Sequence, residues 1–382
     1  MGVGVCPGGS EPLLFLYTEA PRYAPEAVAQ AGERFPGGAR LHVVANRQDR
    51  LLVPEFAASA DAAVSFDGQR VLFAGKEKPT DKWQIWEVAL SDGAPRRVIA
   101  CTDDCITPFY LPGDKIVYTR RIGRSFQLET SAGTRLTYGP GNPIVNDVLR
   151  DGRVLFESTG ATNRDLFTVY TDGSGVETVR CDHIHDRRAG HELPSGDIVF
   201  ETGGKLARFT SARAVEVPLE EQPDGVTLRR NQVQPVIVRA RPRPKIHPSG
   251  LGDREGANTL CLSVYTSKLP IPEGVVANVR LWAQNDEGAA VAIGTAPVDA
   301  DGSFFLTAPA DRAVRFELLD KSGNSVASEK GWFWYKRGEQ RICVGCHAGP
   351  EHAVENVQPQ VLLRTTEPVN LNPVKWNKVD IQ

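Results

Sequence analysis

The features that mark a membrane protein or a nucleic-acid-binding protein are missing from this sequence. No run approaches the roughly 18 consecutive apolar residues that a membrane-spanning helix needs. Neither sign of charge is in excess, because 44 Lys and Arg residues stand against 47 Asp and Glu residues, for a net charge of −3. This balance gives no electrostatic basis for binding nucleic acid or an anionic membrane, so we expect neither partner.

Sulfur-containing residues are scarce. Met1 is the only methionine in the 382 residues, and the seven cysteines are Cys6, Cys101, Cys105, Cys181, Cys261, Cys343 and Cys346. An odd number without regular spacing excludes a disulfide framework. The pair in "CTDDC", Cys101 and Cys105, would bridge in an oxidising compartment or remain as two reduced thiols, and the sequence leaves both open.

Turn-forming residues are abundant, with 36 glycines and 27 prolines, and they punctuate an internal repeat. Four segments align, "AAVSFDGQRVLFAG", "TPFYLPGDKIVYTR", "NDVLRDGRVLFES" and "HELPSGDIVFET", with turn glycines at 68, 113, 152 and 196. About four strands in forty-odd residues, with turns that contain Gly, are typical of a propeller blade. The sequence therefore predicts an all-β chain that begins with a β-propeller of five to six blades over residues 1–238.

Two less regular segments extend the propeller prediction. We assign "ARLHVVANRQDRLLVPE" to an earlier blade and "TLRRNQVQPVIVRARP" to a later one. The blade motif resembles that of TolB-like propellers, and this resemblance implies a fold but no function.

A second β domain is predicted after the propeller. Residues 239–258, "RARPRPKIHPSGLGDREGAN", are rich in Pro, Gly and charge and indicate a linker. Alternating strands with Asp-Gly and Ser-Gly turns over residues 259–337 indicate a small antiparallel β-sandwich. Its last strand, "WFWY" at 332–335, supplies packing and could also provide the flat apolar wall that a porphyrin requires.

The last predicted segment, 338–382, contains a c-type haem motif. Cys343 and Cys346 stand three residues apart and His347 follows directly, which is the order C-x-x-C-H. Two thiols at this spacing reach the two vinyl groups of one haem, and the adjacent imidazole reaches the iron. Zinc is an alternative, but a structural zinc site needs four ligands and no second C-x-x-C or His pair stands nearby. A bare thiol pair is the third alternative.

The second axial ligand of the iron would come from elsewhere in the chain. With Met1 as the only methionine, a His/Met iron site is excluded in practice. The candidates on the distal side are the histidines of one loop, His183, His185 and His191, with His247 as a further one. A solvated polar loop is the alternative interpretation of the first three.

The run from residue 237 to residue 359, together with the blades before it, resembles hydrazine synthase alpha subunit-like proteins over most of the chain. The resemblance is carried by "IVRARPRPKIHPSG", "CLSVYTSKLP", "GTAPVDADGSFFLTAPAD", "FELLDKSGNSV" and "GWFWYKRGEQRICVGCHAGPEHAVENVQP". It implies a propeller protein in which Cys343 and Cys346 carry haem and His347 is the motif histidine. It does not imply hydrazine synthesis, since the chain has one C-x-x-C-H and has Glu351 where that family's active haem has a ligating tyrosine.

Two functions follow from these observations. The first is a c-type haem protein that transfers electrons or performs redox chemistry on a small molecule, with a redox partner protein, so the chain could be an oxidoreductase. The alternative is a non-catalytic propeller binding module with a structural zinc or haem site. Covalent haem attachment takes place outside the cytoplasm, so we expect a periplasmic or extracytoplasmic location, although "PLLFLY" is too short for the apolar part of an export signal.

Overall fold

The computed structural model describes residues 14–30, 32–46, 48–91, 93–159, 163–180, 186–210, 213–218, 229–267, 270–346 and 358–372. In chain order the strands of the propeller region are β1 (Phe15–Glu19), β2 (Arg40–Ala45), β3 (Gln48–Leu51), β4 (Ala58–Val64), β5 (Arg70–Lys76), β6 (Gln84–Ala89), β7 (Arg96–Ile99), β8 (Cys105–Leu111), β9 (Lys115–Ile122), β10 (Ser125–Thr130), β11 (Ile144–Val148), β12 (Val154–Thr159), β13 (Arg164–Val169), β14 (Glu177–Thr178), β15 (Arg187–Glu192), β16 (Ile198–Thr202), β17 (Lys205–Thr210), β18 (Arg213–Pro218) and β19 (Gln232–Ile237).

The strands that follow are β20 (Ala257–Cys261), β21 (Asn278–Gln284), β22 (Ala290–Pro297), β23 (Phe304–Ala308), β24 (Ala313–Leu319), β25 (Ser325–Ser328), β26 (Phe333–Trp334), β27 (Gln340–Cys343) and β28 (Val369–Asn370). The helices of the described residues are a 3-10 helix, Pro25–Gln30, and a short α-helix, α1 (Gln360–Arg364). Neither is long enough or apolar enough to cross a membrane. The chain divides into two compact units, residues 1–126 with 221–244, and residues 127–220 with 245–382.

The first unit contains two complete four-stranded sheets and the hairpin of β8 and β9. One sheet has the order β4-β5-β6-β7, and every residue of β4 is buried. The other has the order β19-β1-β2-β3, in which Phe15 of β1 pairs with Ile237 of β19. The segments that we assigned to an earlier and a later blade therefore belong to the same sheet. That assignment was wrong because the pairing joins strands from opposite ends of the repeat region.

The second unit contributes two further propeller sheets, with the orders β11-β12-β13-β14 and β15-β16-β17-β18. A three-stranded sheet has the order β10-β9-β8. The described part of the propeller region therefore comprises five sheets, at the lower end of the predicted five to six blades. Each unit has its own apolar core, such as the cluster with Leu155, Leu166 and Phe200 in the second unit. The prediction of an all-β propeller is confirmed.

In four of the five propeller sheets, one edge strand carries a bulge at which one residue has positive φ. These residues are Asp61 in β4 (58°), Thr107 in β8 (46°), Ala189 in β15 (50°) and Gln234 in β19 (53°), each at a shift in the strand register. A bulge turns a side chain away from the regular alternation. In the first unit it brings Asp61, Thr107 and Gln234 into one hydrogen-bonded network.

The segment predicted as a linker packs against the hairpin turns of the repeats. In the first unit, Arg241 N donates to Phe66 O at 2.9 Å. In the second unit, Lys245 N donates to Arg150 O at 3.0 Å. The turn glycine Gly152 has φ +93°, and a Cβ there would lie 2.2 Å from Lys245 O, so only glycine fits. The boundaries 1–238, 239–258, 259–337 and 338–382 remain a prediction.

Cys101 and Cys105, the pair at the start of β8, form a disulfide with a Cα–Cα distance of 6.3 Å. This separation lies within the range that disulfides require. The structure thus selects the bridge from the two states that the sequence left open.

Two sheets of the second unit pack face to face as a sandwich. One has the order β27-β20-β23-β28 and the other β22-β21-β24-β25, with β26 paired to β24. Their shared core includes Val279, Leu281, Phe304 and Val314. Strands β27 and β28 of the first sheet come from residues 338–382, the segment that carries the C-x-x-C-H motif.

The short helix α1 lies on the outer face of the same sheet. Val361 N donates to Ser303 Oγ at 3.0 Å, and Val361 packs against Leu260 and Phe305. The sheet that presents the cysteine motif is thereby buried on both faces over its central strands.

Candidate functional site

Cys343 is held in place by strand pairing. It is the last residue of β27, which runs parallel to β20 and places Cys343 opposite Cys261. The ladder continues with Leu262 N donating to Cys343 O at 2.9 Å. Because β20 is a central strand of the sandwich, the first cysteine of the motif is fixed to the domain core and does not lie on a free loop.

Gly345 packs the turn between the two cysteines tightly against the sandwich. A Cβ at this position would lie 2.0 Å from Thr266 O and 2.8 Å from Ser263 O. Both neighbours are backbone atoms of the segment after β20 and cannot move aside cheaply. The glycine therefore fixes where Cys346 emerges from the turn.

We expect Gly345→Ala to displace this turn and to destabilise the folded protein by about 1–3 kcal/mol, the usual cost of overpacking. Denaturant unfolding measures the loss. Gly250→Ala is the matched control, since no atom lies within 4 Å of a Cβ at Gly250. Equal stability of the two variants would contradict the fixed turn.

The two cysteines of the motif line a single cavity of about 190 Å³ within the second unit. Its walls come from both sheets of the sandwich and from the loop before β14. The lining residues are Val176, Cys261, Ser267, Ile271, Phe304, Phe316, Leu318, Ala327, Ser328, Glu329, Phe333, Arg341, Cys343, Gly345 and Cys346. Three of them are cysteines, and most of the others are apolar.

Three aromatic rings form one wall of the cavity. Phe316 lies 5.6 Å from Phe304 and 5.4 Å from Phe333 between ring centroids. Phe333 belongs to "WFWY", the strand that the sequence proposed as a packed end strand and as the wall of an apolar cofactor. Such rings give the flat apolar surface against which a porphyrin edge packs.

Arg341 is the cationic residue of the lining and is held by a neighbouring carboxylate. Its Nε donates to Glu339 Oε1 at 3.0 Å, and its Cζ lies 4.6 Å from the Tyr335 ring centroid. Glu339 also accepts from Gly175 N at 3.2 Å, which ties the loop before β14 to the sandwich. The charge of Arg341 is thus compensated beside the cavity.

Burial keeps all three sulfurs of the cavity protonated at neutral pH. It raises the pKa of Cys346 to about 12 and raises the pKa of Cys343 above its ordinary value. For Cys261, burial and then the neighbouring Cys346 and Cys343 raise the pKa further. The three residues are therefore thiols, which is the form that adds across a vinyl double bond with its hydrogen.

The other site residues predicted from sequence are His347, His183, His185 and His191. His347, His183 and His185 lie outside the described residues. His191 lies in β15, where its side chain is 58% exposed and its Nδ1 is 2.7 Å from Asp147 Oδ2. His191 is not among the residues that line the cavity. Its role as a distal ligand stays a prediction.

The side chains of the cavity are of the kind that holds a haem, but the cavity is too small to enclose a whole haem. The spacing of the thiols and the apolar wall suit the thioether edge of the macrocycle. A cavity of about 190 Å³ is smaller than the roughly 300–1,000 Å³ of pockets that enclose a drug-sized ligand, so the rest of a haem would extend outside it. Within the part of the chain that the structure describes, no three His, Cys, Asp or Glu residues are arranged to hold a metal ion directly.

Sequence reasoning missed Cys261 and most of the aromatic wall. Cys261 is fully buried, and it reaches the motif only through the parallel pairing of β20 with β27. Parallel pairing between segments about 80 residues apart leaves no local pattern. The single available signal was the alternation of "TLCL" in β20, which places Cys261 on one face with Thr259.

The fold and the site define a class of protein, a β-propeller joined to a β-sandwich that holds a C-x-x-C pair at the end of a strand. Residues 275–348 match the model of the hydrazine synthase alpha subunit middle domain. Hydrazine synthase from Kuenenia stuttgartiensis superposes with a TM-score of 0.78 and 15% identity over 93% of this chain and 72% of that one. The resemblance to hydrazine synthase alpha subunit proteins is thereby confirmed, and at this identity the solved structure establishes the fold.

Propeller proteins of the TolB type are more distant in structure. A putative TolB from Agrobacterium tumefaciens gives a TM-score of 0.43 at 18% identity, covering 55% of this chain and 89% of its own. TolB from Acinetobacter baumannii gives 0.41 at 13% identity, covering 78% and 64%. No curated protein matches the sequence.

Proposed function

We propose that this chain is a c-type haem protein, in which Cys343 and Cys346 hold one haem through thioether bonds and His347 is an axial ligand of the iron. The observation that carries the proposal is the cavity, where both thiols of a C-x-x-C-H sequence face an apolar aromatic wall. When bound, the haem supplies one-electron redox chemistry. The function is electron transfer, or redox chemistry on a small molecule, with a redox partner protein.

The chain's own residues determine how the cofactor is held. The β20–β27 ladder fixes Cys343, and Gly345 fixes the turn that leads to Cys346. Cys343 and Cys346 would each hold the haem by a thioether bond, formed when the S–H group adds across one vinyl double bond. The phenylalanine wall excludes water from the thioether edge.

An extracytoplasmic location is part of the proposal, and the disulfide between Cys101 and Cys105 supports it. Disulfides persist in oxidising compartments such as the periplasm and are rare in the cytosol. Attachment of haem to C-x-x-C-H takes place in the same compartment. The reaction of hydrazine synthase is not part of the proposal.

The test is expression of the full chain in a host with and without a haem-maturation system. We expect a haem absorption spectrum only with maturation, pigment that stays with the protein in acidified butanone, and a mass increase of one haem. Colourless protein, or pigment that is extracted, would rule the proposal out. A spectral change of the reduced protein with CO would show an open iron position and favour chemistry on a small molecule over simple electron transfer.

The distal ligand is tested on the same preparation with His191→Ala. If His191 ligates the iron, the variant should show a changed spectrum in both oxidation states, whereas His42→Ala should not. His42 is the control because it is not among the candidate ligands and its Nδ1 lies 2.8 Å from Asp49 Oδ1 in the first unit. An unchanged spectrum for His191→Ala would remove it as a ligand.

A further inference from the structure

Three sulfurs, not two, line the cavity of the C-x-x-C-H motif. Cys261 comes from β20, Cys343 from β27, and Cys346 from the turn that follows. Haem attachment uses two of them, and this leaves Cys261 without an assigned role. Three thiols in one cavity can form only one disulfide at a time, so the choice of pair matters.

Cys261 and Cys343 are direct partners across the ladder. Paired strands lie about 4.8 Å apart, which is within the Cα separation of about 4.4–6.8 Å that a disulfide requires. Both side chains are on the inner face, since Cys261 belongs to the sandwich core and Cys343 packs against that core.

The two thiols differ in access to solvent. Cys261 is 1% exposed, whereas Cys343 is half-buried. A small disulfide oxidant therefore reaches Cys343 first, and the buried Cys261 is placed to react second. This order is that of a thiol that reacts with the reagent and a second thiol that resolves the product.

We propose that Cys261 is the disulfide partner of Cys343 in the haem-free protein. With glutathione disulfide as oxidant, the Cys343 sulfur loses its proton and attacks one sulfur of the oxidant. A mixed disulfide forms, and one glutathione leaves as thiol. The Cys261 sulfur then loses its proton and attacks the Cys343 sulfur, so the second glutathione leaves. Two protein thiols lose two electrons in total, and one glutathione disulfide becomes two glutathiones.

The consequence for the cofactor rests on the proposed function. A Cys343 bound to Cys261 has no thiol to add to a vinyl group, so the cross-link prevents haem attachment until it is reduced. The disulfide itself does not depend on haem. It can therefore be tested in the haem-free chain, where failure of the haem proposal would not affect the result.

The experiment uses the full chain produced without haem maturation, reduced, and then equilibrated with glutathione disulfide at alkaline pH, since a buried thiol must ionise to react. Remaining thiols are alkylated, and the digest is mapped by mass spectrometry without reduction. The expected result is a cross-linked peptide pair that contains Cys261 and Cys343, lost in Cys261→Ser. The Cys101–Cys105 disulfide serves as an internal standard for complete oxidation.

A second variant separates this pair from the disulfide within the motif. In Cys346→Ser, only Cys261 and Cys343 remain as cavity thiols, and the cross-link should form there at least as fully as in the wild type. Wild-type protein in which Cys343 bonds to Cys346 alone, with Cys261 alkylated, would overturn the proposal. Separate alkylation or glutathionylation of Cys261 and Cys343 in Cys346→Ser, beside an intact Cys101–Cys105 bond, would overturn it equally.

Discussion

The double variant Cys343→Ser/Cys346→Ser should carry no covalently bound haem when it is produced with a maturation system. Serine keeps nearly the shape of cysteine, but its hydroxyl does not add to a vinyl group during haem maturation. Each single variant keeps one thiol of the C-x-x-C-H motif and should retain one thioether bond. Complete loss is therefore expected only in the double variant, and mass spectrometry of denatured protein distinguishes all three states.

The control for this prediction removes two sulfurs elsewhere. Cys101→Ser/Cys105→Ser deletes the disulfide in the first unit and should leave haem attachment intact. Replacing the two half-buried thiols with hydroxyls would lower the free energy of unfolding by a few kcal/mol. Circular dichroism must therefore show that the Cys343→Ser/Cys346→Ser protein is folded. A folded double variant that still keeps haem in acidified butanone would contradict the attachment site.

The repeat architecture could be predicted because its signals are local. Alternating apolar residues and turn glycines such as Gly68 and Gly152 mark each hairpin, and both glycines have positive φ in the structure. The placement of β19 beside β1 could not be predicted, since its pairing with Phe15 and Glu19 depends on residues more than 200 positions away. Long-range strand pairing leaves no periodic trace in either segment.

The same distinction holds for the candidate site. The C-x-x-C-H spacing is local, so the sequence indicated Cys343 and Cys346 directly. Cys261 could not be connected to them, because only the parallel β20–β27 ladder places it opposite Cys343. The fit of Gly345 against Thr266 O was equally invisible, since it depends on how the chain after β20 turns back.

The largest effect on stability should come from a buried ion pair in the first unit. Arg34 donates to both oxygens of Asp61, at 2.9 and 2.7 Å, and the two side chains are 8% and 2% exposed. Asp61 also accepts from Gln234 Nε2 at 2.7 Å and from Thr107 N at 3.1 Å. Asp61, Thr107 and Gln234 are the bulge residues of β4, β8 and β19, which belong to three different sheets. One carboxylate therefore joins three blade segments.

Asp61→Asn should destabilise the protein by about 3–5 kcal/mol at pH 7, the cost of leaving a buried partner charge uncompensated. Asparagine has the same shape and tolerates the positive φ of 58° at this position, so the change isolates the charge. Denaturant unfolding measures the difference. The control is Asp286→Asn, whose carboxylate is 66% exposed beside Arg312, and it should cost less than about 1 kcal/mol.

The pH dependence of this difference tests the cause. Burial opposes ionisation of Asp61, but the Arg34 charge and the hydrogen bonds from Arg34, Gln234 and Thr107 outweigh it and hold the pKa of Asp61 below its ordinary value. A carboxyl whose pKa is lowered by folding contributes stability above its unfolded pKa of about 4 and loses that stability as pH falls through the folded value. The difference in free energy of unfolding between wild type and Asp61→Asn should therefore be largest at pH 7 and decrease progressively below about pH 4. If this difference is small at pH 7, or is constant down to acid pH, then the carboxylate charge does not hold these blade segments together.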